Sequence, residues 1–166
     1  MDLYATIIGA LAATALALSA APPAPQQSES LGLVFSDPFG IVFMRPAEPG
    51  RPAPTAPVEV THWTFFDAAD RLTTAWGWKT RVTRARIDCQ AGHMSPLHHQ
   101  TYMDGEPVET VTPPFRMQAP VGDDKEAILA WVCDPQVAPP ETVVADMAAA
   151  RAWADAAFLA MKDEGE

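Results

Sequence analysis

The chain has 166 residues, 48% of them hydrophobic, which is enough for one core of ordinary size and gives no sign of a second. Its formal net charge of −10 argues against nucleic acid or an anionic membrane surface as a partner held by bulk electrostatics. Seventeen prolines and only two cysteines make the placement of both residue types informative.

The opening segment, MDLYATIIGALAATALALSA, carries no charge after Asp2 and is rich in Ala and Leu from Leu3 to Leu18. It ends in small residues and then APPAPQQS, which cannot continue a helix. This is the layout of a secretory signal peptide over residues 1–20, with cleavage near Ser19 to Ala21. A retained membrane anchor is the alternative, since no Lys or Arg precedes the apolar run and its length approaches that of a spanning helix. The expected location is therefore secreted, periplasmic or in the cell envelope. Residues 21–30 read as a disordered, Pro-rich leader. Residues 31–165 follow as a single α+β domain.

Two short β-prone runs, LGLVF and IVFMR, flank the turn signal SDPFG. Residues 46–57 hold five prolines and predict a semi-extended loop. VEVTHWTFF from Val58 is rich in β-branched and aromatic residues and predicts a strand. In the strand that ends at RIDC, Thr83, Ala85, Ile87 and Cys89 share one face, suited to a core. Val82, Arg84, Arg86 and Asp88 share the other, suited to water. A strand around Leu97 to Met103 meets Asp104-Gly105, a strong hairpin signal, with Val108 to Val111 as its partner. Ala127 to Cys133 (AILAWVC) predicts a last strand whose odd positions are apolar. From Glu141 the spacing turns helical, with Val143, Met147, Ala150, Ala154, Phe158 and Met161 as one stripe. The expected architecture is an antiparallel sheet of about five to seven strands with one C-terminal helix packed on the face that carries Ile87, Leu129 and Trp131.

Cys89 and Cys133 each close an apolar run. In an oxidising compartment such a pair defaults to a disulfide. If the two runs are neighbours, both thiols point into the layer between sheet and helix, and the bridge would close a loop of about 45 residues.

The run from Trp76 to Pro135 resembles the surface-adhesin protein E-like family of small exported bacterial proteins. The matching pieces are TRARIDC, a following strand, Tyr102 with Asp104-Gly105, a Pro-bearing stretch and AILAWVC; VEVTHWTFF would match the family's preceding strand. The resemblance implies an antiparallel sheet with a C-terminal helix and a disulfide. In the best-known members it also implies surface display and binding of host extracellular-matrix proteins. This chain differs in lacking a lipobox cysteine, in its Pro-rich segment and in its Ala-rich C-terminal helix.

Local motifs for chemistry are scarce. Cys89, His93 and His98 or His99 can be written as a metal constellation, but Cys89 has a better partner in Cys133, and adjacent histidines on a strand point to opposite faces. No metal and no cofactor are expected. Ser28, Ser30, Ser36 and Ser95 lie outside any nucleophile elbow. Asp123, Asp124 and Glu126 read as a solvated helix or strand start rather than an acid–base pair. The candidate binding patch is Trp76, Trp78, Lys79, Arg81, Arg84 and Arg86. It holds four of the eleven basic residues within eight positions, with an exposed aromatic pair beside them. Against it stands an intramolecular reading, in which the acidic C-terminal part balances the basic strand. Together these observations predict an exported binding protein without catalytic activity, whose partner is a protein of the envelope or extracellular matrix. A periplasmic hydrolase-like or metal-dependent enzyme is the alternative.

Overall fold

The computed structural model describes residues 30–46, 50–67, 79–114 and 116–164. The stretch expected as a signal peptide, the expected leader up to residue 29, Trp76 and Trp78 lie outside the described residues. Seven strands form one antiparallel sheet: β1 (Leu31–Ser36), β2 (Ile41–Met44), β3 (Val58–Phe65), β4 (Thr80–Asp88), β5 (His93–Met103), β6 (Glu106–Val111) and β7 (Val143–Val144). Their spatial order is β6-β5-β4-β3-β2-β1-β7. Two helices complete the described fold, α1 (Asp123–Cys133) and α2 (Met147–Asp163).

The turns form where the sequence marks them. Asp37 Oδ1 accepts from the amides of Phe39 (2.8 Å) and Gly40 (2.7 Å), closing the β1–β2 hairpin. Asp104 (φ 50°) and Gly105 (φ 89°) both take the left-handed conformation that a two-residue hairpin loop needs between β5 and β6.

All four residues of β2 are buried, because the sheet is covered on both faces there. Val42 and Met44 pack with Ala85, Ile87, Met94 and with Ile128, Trp131 and Val132 of α1. Ile41 and Phe43 point the other way, to Leu31, Phe65 and to Ala150, Ala154 and Phe158 of α2. Successive side chains of a strand face opposite sides, so the two helices lie on opposite faces. The expected stripe therefore forms from Met147 to Met161, without Val143, and it packs against the face of Phe43 and Phe65. Ile87, Leu129 and Trp131 belong to the other side.

The stretch expected as a last strand, Ala127 to Cys133, is helical instead. Its buried residues are Ile128, Trp131 and Val132, at helical spacing, and Asp123, Asp124 and Glu126 place favourable charge in the first turn. The last turn of α1 has no basic residue. Arg51, from the Pro-rich loop, serves there from outside, its Nη2 donating to the carbonyls of Trp131 (2.6 Å) and Val132 (2.9 Å). α2 starts later than the spacing suggested. Asp146 caps it by accepting from the Ala149 amide (2.9 Å), while Val143 lies in β7, paired with β1 and half exposed. Arg151 of α2 donates from Nη1 to the carbonyls of Phe66 (3.1 Å) and Lys79 (2.7 Å), tying the helix to the ends of β3 and β4.

Between β1 and the roof the packing is close. A Cβ on Gly32 would sit 2.7 Å from Pro140 Cγ and 3.3 Å from Trp131 Cη2. The disulfide joins Cys89, just past β4, to Cys133 in the last turn of α1, with Cα atoms 5.3 Å apart and a separation of 44 residues. The expected pair is right, although one partner sits on a helix rather than a strand. In the chain-entropy description a loop of this length is worth about 4 kcal/mol.

Candidate functional site

The sheet face under α1 is built in rows set by strand register. The first row is Thr64, Arg81 and Thr101, and the second is His62, Thr83 and His99. The third is Val60, Ala85 and Pro96, and the fourth is Val58, Ile87 and Met94. Polarity falls steadily along β4 toward the disulfide. One irregularity makes this possible: Arg84 pairs with His98 but Ala85 with Pro96, so Leu97 is a bulge residue. The bulge brings both His99 and Pro96 to the α1 side despite their odd separation.

Over these rows lie residues 118–121 and the first turns of α1. Met94 and Gln118 hold this segment down with two backbone hydrogen bonds, of 2.9 and 3.3 Å. Between floor and roof is a cavity of about 310 Å³, with Arg81, His62, Thr83 and His99 on its floor and Asp124, Lys125 and Ile128 above. Arg81 and His99 also line a smaller adjoining cavity of about 200 Å³ that ends at Glu109 and Val111.

His62 is buried, 7% exposed, and its Nδ1 has no hydrogen-bond partner. Burial, with smaller contributions from His99 and Arg81, pushes its pKa down to about 3, so the imidazole is neutral. His99 is also held below the usual histidine range, first by burial and then by Arg81, His98 and Lys125. Its Nδ1 meets Thr83 Oγ1 at 2.9 Å. Arg81 lies over the Phe66 ring, 5.2 Å from the centroid. Burial lowers its pKa, against the pull of Glu109 and Asp124. The site is thus a half-polar, half-apolar pocket with two uncharged imidazoles and one guanidinium.

The basic residues expected as a patch do not share one surface. Arg81 faces the pocket under α1, whereas Arg84 and Arg86 are on the opposite face, beside Glu59 on β3. Arg86 Nη2 is 2.6 Å from Glu59 Oε1 and Arg84 Nε 3.9 Å from Oε2. The hydrogen bond from Arg86 leads in holding the Glu59 carboxyl below its usual range. Lys79 pairs with Asp104 at the hairpin. Strand alternation is the cause: odd and even positions of β4 diverge. Glu59 of the neighbouring strand balances Arg84 and Arg86 within the chain.

Of the other sequence candidates, Ser95 is fully buried and accepts from the Arg116 amide (3.0 Å), a structural bond. Cys89 is engaged in the disulfide, and His98 and His99 do face opposite sides of β5. Among the described residues no group of three or more His, Cys, Asp or Glu side chains is placed to hold a metal ion. Sequence reasoning missed the pocket itself. The alternation Val58, Val60, His62, Thr64 could have placed His62 inward, but its meeting with Thr83 and His99 depends on register and on the bulge. Comparison with protein-family models, with curated proteins and with solved structures finds no match in any of the three.

Proposed function

We propose that the protein is an exported, disulfide-stapled binding protein that holds a small organic ligand between its sheet and α1, without catalysing a reaction. The observation that carries this reading is a cavity of about 310 Å³ between sheet and α1, lined by His62, Thr83 and His99, beside which the buried Nδ1 of His62 has no hydrogen-bond partner. Buried polar atoms are nearly always hydrogen-bonded, so an unpaired imidazole nitrogen beside a cavity is an unusual feature of a folded domain. The cavity is of the size that small-molecule sites occupy, with apolar walls and few converging polar groups. A histidine with a pKa of about 3 is a poor acid or base near neutral pH, which favours binding over proton transfer. Export rests on the apolar opening segment and its small-residue end, and a disulfide is in keeping with an oxidising compartment.

A fragment screen by two-dimensional amide NMR tests the binding reading. Saturable shifts should cluster at Thr83, Ala85, His99 and Ile128, and His62→Leu should weaken or abolish the hits. Shifts confined to the Arg84–Arg86 face would overturn it. N-terminal sequencing of the cell-fractionated protein tests export, and Met1 retained on membrane-bound protein would refute cleavage.

A further inference from the structure

Resting on the small-ligand reading above, we infer that the pocket takes an uncharged carbonyl compound with an apolar body. The carbonyl oxygen is assigned to the ring N–H of His99 at Nε2, and the body to the wall of Ala85, Pro96 and Ile128.

The tautomer of His99 follows from Thr83. Thr83 is 3% exposed, and its Oγ1 lies 2.9 Å from His99 Nδ1, with no second partner among the described residues. A buried hydroxyl hydrogen needs an acceptor, and a neutral imidazole offers one only at its unprotonated nitrogen. Thr83 therefore donates, Nδ1 accepts, and the single ring proton sits on Nε2. His99 lines both cavities, and with Nδ1 occupied, Nε2 is the ring nitrogen that a ligand can reach. Nδ1 of His62, in the same row, is buried in the floor, so the recognising group of the row is His99. The backbone of β4 is paired on both sides, with β3 and with β5, and polar recognition on this stretch of floor falls to side chains. A donor at His99 calls for an acceptor on the ligand.

The charges of the pocket cancel among themselves. Arg81 and Lys125 are offset by Asp124 in the roof and by Glu109 in the adjoining cavity, and both histidines are uncharged. Asp124 and Glu109 both act on Arg81. A ligand anion would come up against two carboxylates, and a ligand cation against Arg81 and Lys125. Either would give up water for a site with no net countercharge, whereas an uncharged ligand avoids that cost. The next row, Val60, Ala85 and Pro96, lies about 6.6 Å along the strand from the row of His99. Hydrocarbon begins there and continues under Ile128 of α1, so the apolar body sits one row from the oxygen. Ketones, lactones and amides with a hydrocarbon tail have this layout.

Three probes of similar shape separate the parts of the inference: 4-phenylbutan-2-one, 3-phenylpropionate and 3-phenylpropylammonium, titrated by NMR and calorimetry into the whole chain. We expect the ketone to bind tightest, by about tenfold or more over either ion, with shifts at Thr83, Ala85 and Ile128. His99→Leu should weaken the ketone by about threefold to tenfold, the worth of one neutral hydrogen bond. Long-range nitrogen–proton spectra of the unmodified protein should place the His99 ring proton on Nε2, and the ketone should shift that nitrogen. If His99→Leu does not fold, those spectra decide alone. A ring proton on Nδ1, a ketone that leaves Nε2 unmoved, or a folded His99→Leu that binds the ketone unchanged would overturn the hydrogen-bond assignment. An ion bound in the pocket as tightly as the ketone would overturn the uncharged assignment while leaving the small-ligand reading intact. No pocket shift with any of the three at millimolar concentration would overturn the inference, and the fragment screen would then judge the broader reading separately.

Discussion

His62 should make the stability of this protein fall with acid well before its carboxylates titrate. Above its ordinary pKa of 6.5 the imidazole is neutral in both folded and unfolded chains, and it contributes no pH dependence. As pH falls from 6.5 toward 3, the unfolded chain takes up a proton that the folded chain refuses, so stability is lost throughout that window. Below the folded pKa the loss levels off. Its full size is about 5 kcal/mol at 1.36 kcal/mol per pH unit, of which about 2 kcal/mol falls between pH 7 and pH 5. The assay is urea unfolding at several pH values for the natural protein and for His62→Leu. At pH 7 the two should be similar, since the substitution removes an unpaired buried nitrogen and keeps most of the apolar volume. At pH 5 the variant should be the more stable by about 2 kcal/mol. His99, also held neutral by burial, contributes to both proteins and cancels in the difference. Parallel losses in the two proteins, or an NMR titration placing His62 above pH 6, would show that His62 is not buried in its neutral form.

Three further outcomes test the fold. Non-reducing peptide mapping should find Cys89 linked to Cys133, and Cys133→Ser should lower stability by about 2–4 kcal/mol in denaturant titrations; two alkylatable thiols in correctly exported protein would contradict this. Gly32→Ala should cost about 1–3 kcal/mol, because its methyl would press on Pro140 and Trp131; unchanged thermal unfolding would mean that this contact is looser than 2.7 Å. Phe158→Ala should cost about 3–5 kcal/mol, as Phe158 is 3% exposed within the cluster of Leu31, Ile41, Phe43 and Phe65, and a variant that melts at the same temperature would make α2 a detachable tail.

Most of the sheet was legible because its signals are local. The Asp37 and Asp104-Gly105 turns, the β-branched run from Val58 and the two faces of β4 each follow from a few neighbouring residues. The error at Ala127–Cys133 arose where two periodicities coexist. Ala127, Leu129, Trp131 and Cys133 alternate like a strand, while Ile128, Trp131 and Val132 have helical spacing, and the acidic first turn was the signal that favoured the helix. Placing α2 on the wrong face followed from that error, because the Ile87 side already had a cover. The pocket was illegible for another reason. His62, Thr83 and His99 are brought together by the register of β3, β4 and β5. The basic cluster misled in the opposite way, since adjacency in sequence places Arg81 and Arg84 on opposite sides of a strand.

The Cys89–Cys133 bond fastens the C-terminal turn of α1 to the end of β4, so the roof of the pocket is joined covalently to its floor at the apolar end. The backbone pairing of Met94 with Gln118 ties the segment ahead of α1 to the same apolar row of the sheet. If the pocket holds a ligand as proposed, retention should depend on the maturation history of the chain. A copy still in its reduced form would keep the same floor but lose the covalent tie to its roof, and it should release a bound ligand faster. On the proposed reading, oxidation would be the last step of assembly, fastening roof to floor once the two thiols are lost.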